Sequence, residues 1–78
     1  MILTMAHDRI EIKPGVMVGK PVIKGTRITV EHILRECAGG LTPEEFPEHY
    51  PSVTADDVRA ALAYAADVLR GKATFAAE

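Results

Sequence analysis

The sequence predicts a mostly α domain with a small N-terminal β element, in which three helices follow short extended segments. Three observations carry this. Residues 9–29 alternate apolar with basic or polar residues and are punctuated by Pro14-Gly15, Gly19-Lys20-Pro21 and Gly25. Thr29, Thr42 and Thr54 each stand just before a run with helical periodicity, where a hydroxyl can cap the first turn. From Val58 to Leu69 the apolar residues Val58, Ala61, Leu62, Ala65, Val68 and Leu69 recur at i, i+3, i+4 spacing, the stripe of an amphipathic helix.

In chain order, residues 1–7 carry no pattern and are expected to be frayed. Arg9-Ile10-Glu11-Ile12-Lys13 alternates strictly and reads as a half-buried strand, ended by Pro14-Gly15. Val16, Met17 and Val18 suggest a second short extended piece. Val22-Ile23 and Arg27-Ile28-Thr29 flank Lys24-Gly25, where glycine supplies the positive φ of a tight hairpin turn. The first helix runs from Val30 to about Ala38 and stops at Gly39-Gly40. The second opens with Thr42, Pro43 and Glu45, a capping box, but Pro47 limits it to a short or bent turn with Phe46 and Tyr50 packed inward. The third is capped by Thr54, carries Asp56 and Asp57 against its dipole, and ends at Gly71. The tight second connection is compatible with a helix-turn-helix. Residues 72–78 are expected to form a flexible tail.

A chain of 78 residues is one domain. It hides only about 60% of its unfolded surface on folding, so a partner subunit is an expected source of stability. One cysteine rules out an internal disulfide and fits a reducing compartment. With no membrane-length apolar run and no export signal, a soluble cytoplasmic protein is expected. The small net charge of −2 hides an asymmetry. Arg9, Lys13, Lys20, Lys24 and Arg27 crowd the β region, whereas Glu31, Glu36, Glu44, Glu45, Glu48, Asp56 and Asp57 crowd the helices.

The chemistry-bearing residues point to binding. His7, His32 and His49 are scattered, Cys37 falls on the apolar stripe of the first helix, and no pair has zinc-ligand spacing. Glu44-Glu45 and Asp56-Asp57 stand in first helical turns, where capping and dipole effects account for them. No catalytic residue, metal ligand, cofactor site or small-molecule substrate is expected. The outward face of the third helix shows Asp56, Arg59, Ala60, Ala63, Tyr64 and Asp67, a weak offering to a major groove. The basic segment with Lys13, Lys20, Lys24 and Arg27 is the better candidate for phosphates or an acidic partner. Arg27 has a competing structural role, an ion pair with Glu31 or another acidic helix residue.

Gly19-Lys20-Pro21-Val22-Ile23-Lys24-Gly25-Thr26-Arg27-Ile28 with Val30, then Gly39-Gly40-Leu41-Thr42-Pro43-Glu44-Glu45, then Tyr50-Pro51 and Val53-Thr54-Ala55-Asp56-Asp57-Val58-Arg59-Ala60-Ala61-Leu62-Ala63-Tyr64-Ala65 form three ordered blocks. They resemble the domain-of-unknown-function 433 family over about residues 8–71. The resemblance implies a small bacterial helix-turn-helix domain, homeodomain-like or winged. It also implies an antitoxin-like role of the VapB type, restraining a PIN-like ribonuclease toxin. Pro47 departs from the family's usual helix-compatible residue and puts the second helix in question.

The expected function is therefore an antitoxin-like module that binds a PIN-like ribonuclease and also promoter DNA. The alternative is a stand-alone helix-turn-helix regulator acting on DNA. Lys20, Lys24, Arg27, Arg59, Tyr64, Arg70 and Lys72 are the candidate contacts to nucleic acid or partner. Tyr64 is expected to sit half-buried at an interface, and Arg70 or Lys72 to approach the toxin's carboxylates with Phe75 as an apolar anchor. A homodimer is expected through the β element, with Ile10 and Ile12 on the shared face.

Overall fold

The structure, a computed structural model, describes residues 7–71. Its elements are strand β1 (Ile10–Glu11), strand β2 (Val22–Ile23), and helices α1 (Val30–Ala38), α2 (Phe46–His49) and α3 (Ala55–Leu69). The protein is mostly helical with a small antiparallel sheet at its N-terminal side. β1 pairs with β2 in the register Ile10 to Ile23 and Glu11 to Val22, and a further bridge joins Val22 to Thr29.

The core lies where α1 crosses α3 and the sheet closes one side. Ile23, Val30, Ile33, Phe46, Val53, Val58, Ala61 and Tyr64 form one buried cluster, with Ile10, Ile28 and Leu34 packed against it. α1 and α3 begin as the sequence predicts, whereas α2 starts at Phe46 and not at the expected Thr42–Pro43. The Thr29 hydroxyl accepts from the His32 N–H, and Thr54 and Asp57 form a reciprocal capping box on α3. α1 stops because Gly40 turns to φ 109° and the Leu41 N–H reaches back to the Glu36 carbonyl. α2 is a single turn. The Thr42–Glu45 box forms, but Pro47 has no N–H for the Pro43 carbonyl, so the chain makes short bonds from Phe46 to Pro43 and from Glu48 to Glu45. Phe46 is buried, as the pattern requires, while Tyr50 is half-buried against His32 and Glu36.

Three expectations change. The extended piece expected over residues 16–18 stops at Val16 (φ −118°, ψ 120°): Met17, Val18 and Gly19 take φ of 48°, 57° and 77°, and bonds from Gly19 to Val16 and from Lys20 to Met17 wind them into a tight left-handed turn. The strand expected over Arg9–Lys13 is confined to Ile10–Glu11. His7, expected to be frayed, is held on α3, where its Nε2 lies 2.8 Å from Asp67 and its ring meets Tyr64 edge-on.

Candidate functional site

The hairpin between β2 and Thr29 presents residues Lys24–Arg27 at its tip, and the local sequence makes that tip rigid. Gly25 takes φ 81°, open to glycine without strain, and the Thr26 N–H closes the turn on the Ile23 carbonyl at 2.9 Å. The Thr26 hydroxyl donates to the same carbonyl and accepts from the Ile28 N–H, each at 2.9 Å. From the neighbouring strand, the Arg9 carbonyl accepts from the Lys24 N–H at 2.7 Å and the Glu11 carboxylate from the Gly25 N–H at 3.1 Å. Beneath it, Ile23 is buried in the core.

β1 is itself clamped to α3. Arg9 Nη1 donates to Asp57 Oδ1 at 2.9 Å, while Asp57 Oδ2 accepts from the Thr54 N–H at 2.9 Å. Burial alone would push the Asp57 carboxyl up. The hydrogen bonds from Thr54 and the Arg9 guanidinium outweigh it and hold the group below the usual aspartate range. The same contact raises the Arg9 guanidinium still further. Sequence alone shows Asp57 as a first-turn acid; its place three residues after Thr54 signals the capping box, but nothing local links it to Arg9.

The cations divide sharply once their neighbours are known. Lys20 lies 3.2 Å from Glu31, Arg59 is engaged by Glu44 and Asp56, and Arg70 lies 3.6 Å from Asp67. Arg27 does not take Glu31, contrary to the expected ion pair, because Lys20 and Arg35 both reach that carboxylate at 3.2 Å and hold it below its usual range. Among the described residues, Lys24 and Arg27 are exposed and have no carboxylate within 4.0 Å. The tip thus carries two cations with no ion-pair partner among the described residues, beside the Glu11 carboxylate that accepts from Gly25.

Tyr64 is the other correction. It faces inward, 5% exposed, and burial raises its phenol above the ordinary range, so it is not an outward contact of α3. Its hydroxyl has no hydrogen-bond partner among the described residues. Burial also pushes the Cys37 thiol up, with Glu36 adding to the effect, which disfavours the thiolate. Ile10 packs on its own core and Ile12 is half-buried. Lys72 and Phe75 lie outside the described residues. Among the described residues no three His, Cys, Asp or Glu side chains cluster as a metal-ligand set, and no helix is long and apolar enough to cross a membrane.

The DUF433 family, a family of proteins of unknown function, matches residues 10–65, which takes in the hairpin, all three caps and most of α3. The chain belongs to the DUF433 family. A similar relative is an uncharacterized protein, y4eO, of Sinorhizobium fredii, 35% identical over 71 residues; the match covers 90% of this chain and 32% of the relative. The chain therefore spans about a third of that relative's length. The crystal structure of a DUF433 member from Anabaena variabilis is also similar, with a TM-score of 0.73 and 31% identity over 90% of this chain and 69% of that one.

Proposed function

We propose that this DUF433 chain is an antitoxin-like interaction module that restrains a PIN-like ribonuclease, and that Lys24 and Arg27 on the hairpin tip approach the partner's acidic site. The observation that carries the reading is the division of the cations. Lys20, Arg59 and Arg70 are matched by carboxylates of their own chain, whereas Lys24 and Arg27 are unmatched and sit on a braced turn. A metal-binding nuclease site is a cluster of carboxylates, and a planar guanidinium suits it because it can donate two parallel hydrogen bonds. A frame fixed beforehand loses little conformational freedom on docking. The length of the Sinorhizobium relative agrees with a unit that works beside a further protein region.

The alternative, a regulator acting on DNA alone, gains less support. Arg59 on the exposed face of α3 is already engaged by Glu44 and Asp56, and α2 is one turn long. Promoter binding alongside partner binding would use the same tip, as a backbone contact.

The test mixes the full chain with a PIN-like ribonuclease encoded in the adjacent reading frame and follows RNA cleavage. The wild-type chain should inhibit, and Lys24→Glu with Arg27→Glu should weaken inhibition at least tenfold. A chain that binds duplex DNA through the tip but leaves the ribonuclease fully active would establish the regulator reading instead.

A further inference from the structure

Three side chains with metal-binding chemistry converge where α1 meets the chain leaving α2. His32 and Glu36 stand at i and i+4 on α1, so they share one face, and His32 Nε2 lies 3.6 Å from Glu36 Oε2. The Tyr50 hydroxyl lies 2.7 Å from His32 Nε2 and donates to Glu36 Oε2 at 3.3 Å. One nitrogen and two oxygens thus mark the corners of a small triangle. Two of the corners are fixed from behind. The Thr29 hydroxyl accepts from the His32 N–H at 3.0 Å, and the Tyr50 N–H donates to the Phe46 carbonyl at 2.8 Å. The Tyr50 ring meets His32 edge-on and packs against the buried Phe46, with centroids 5.2 and 5.5 Å away. Both α1 side chains keep a route to solvent, His32 at 42% exposure and Glu36 at 38%.

We propose that His32, Glu36 and Tyr50 form a site for one divalent transition-metal ion, of which Zn²⁺ is the simplest. Ligand atoms about 2.0–2.2 Å from a zinc ion stand about 3.0–3.5 Å from one another, and the three separations here bracket that spacing. The third donor is a phenol, so the site is not a cluster of His, Cys, Asp and Glu alone. The donor types select the class of ion. An imidazole nitrogen suits Zn²⁺, Cu²⁺ or Ni²⁺, whereas Mg²⁺ and Ca²⁺ take oxygen. Among the described residues no Lys or Arg lies within 4.0 Å of Glu36, so its carboxylate is open to a cation. On binding, the hydrogen bonds of the triangle are exchanged for three bonds to the ion, and the phenol proton passes to solvent. The ion ties α1 to the chain beyond α2, a helix of one turn, and a small domain gains stability from such a staple.

Calorimetric titration of the metal-free full chain with Zn²⁺ tests the site. The wild type should bind one ion per chain, and saturation should raise its unfolding temperature. His32→Gln and Glu36→Gln keep hydrogen-bonding capacity but weaken the ligand set, so each should lower zinc affinity about tenfold or more. Their unfolding temperatures without metal should move little, which separates a lost ligand from a lost fold. Tyr50→Phe should lower affinity by a smaller factor. It should also remove the ultraviolet difference absorption of a phenolate that accompanies zinc binding to the wild type, a signal that a hydrogen-bonding role for Tyr50 does not produce. His49→Ala and Cys37→Ser should leave affinity unchanged, and excess Mg²⁺ should not displace the zinc. The absence of saturable binding overturns the inference. So does binding that survives His32→Gln with Glu36→Gln, wherever else on the chain the ion then sits.

Discussion

Two tight turns in the N-terminal third, Met17–Gly19 and Lys24–Arg27, both enter the left-handed region but do so in different chemical terms. The second assigns the positive φ to Gly25, which adopts it without strain, and exposes Lys24 and Arg27. The first places Met17 and Val18 there and exposes an aliphatic side chain. Glycine at a turn leaves the backbone relaxed and lets its neighbours present charge. A valine in the same backbone region keeps strain, which the bonds from Gly19 to Val16 and from Lys20 to Met17 hold in place. One turn exposes charge, the other an apolar side chain.

The largest way to break this contrast is through the frame that both turns share. Ile23→Ala removes a fully packed side chain beneath the hairpin and should destabilise the fold by about 2–4 kcal/mol in denaturant unfolding. Next comes the clamp on β1. Asp57 titrates below the usual aspartate range when folded, so the folded state binds fewer protons than the unfolded one as pH drops. Its stabilising contribution is complete above the ordinary aspartate range and is lost as pH falls through the lower folded value. Asp57→Asn should lower the unfolding temperature at pH 7, with a loss of about 1 kcal/mol from the cap, and should flatten the acid limb of the stability profile.

The finest comparison exchanges residue types between the turns. Gly25→Ala forces a side chain into φ 81° and should cost about 1 kcal/mol, although open space surrounds the position. Val18→Gly should have the opposite sign, raising the stability of the chain by up to about 1 kcal/mol as left-handed strain is relieved. If both substitutions destabilise equally, the two turns are not the opposites described here.

Much of the fold could be read from local signals because local signals decide it. Thr29 and Thr54 cap as their positions require, Gly25 closes the hairpin, and the stripe on α3 buries Val58 and Ala61. The turn at Met17–Gly19 could not be read, since Val16, Met17 and Val18 favour extended backbone and the turn is closed by backbone bonds from Gly19 to Val16 and from Lys20 to Met17. Tyr64 was misplaced because it stands at the edge of the apolar stripe, where periodicity alone does not say which way a ring turns. The site was legible only in part. Composition pointed to a basic hairpin, but which cations are free depends on pairs such as Lys20 with Glu31 and Arg59 with Glu44, and sequence order does not rank those against Arg27 with Glu31.

The central claim is that unmatched charge on the tip, rather than positive charge in general, makes the contact to an acidic partner. Inhibition of a PIN-like ribonuclease, the proposed partner, by matched variants tests it most directly. Reversing Lys24 and Arg27 should weaken inhibition at least tenfold, with the loss growing as salt is lowered. Reversing Arg59, already engaged by Glu44 and Asp56, should change inhibition less than threefold. Equal losses from the tip and from Arg59, or inhibition untouched by the tip, would contradict the account.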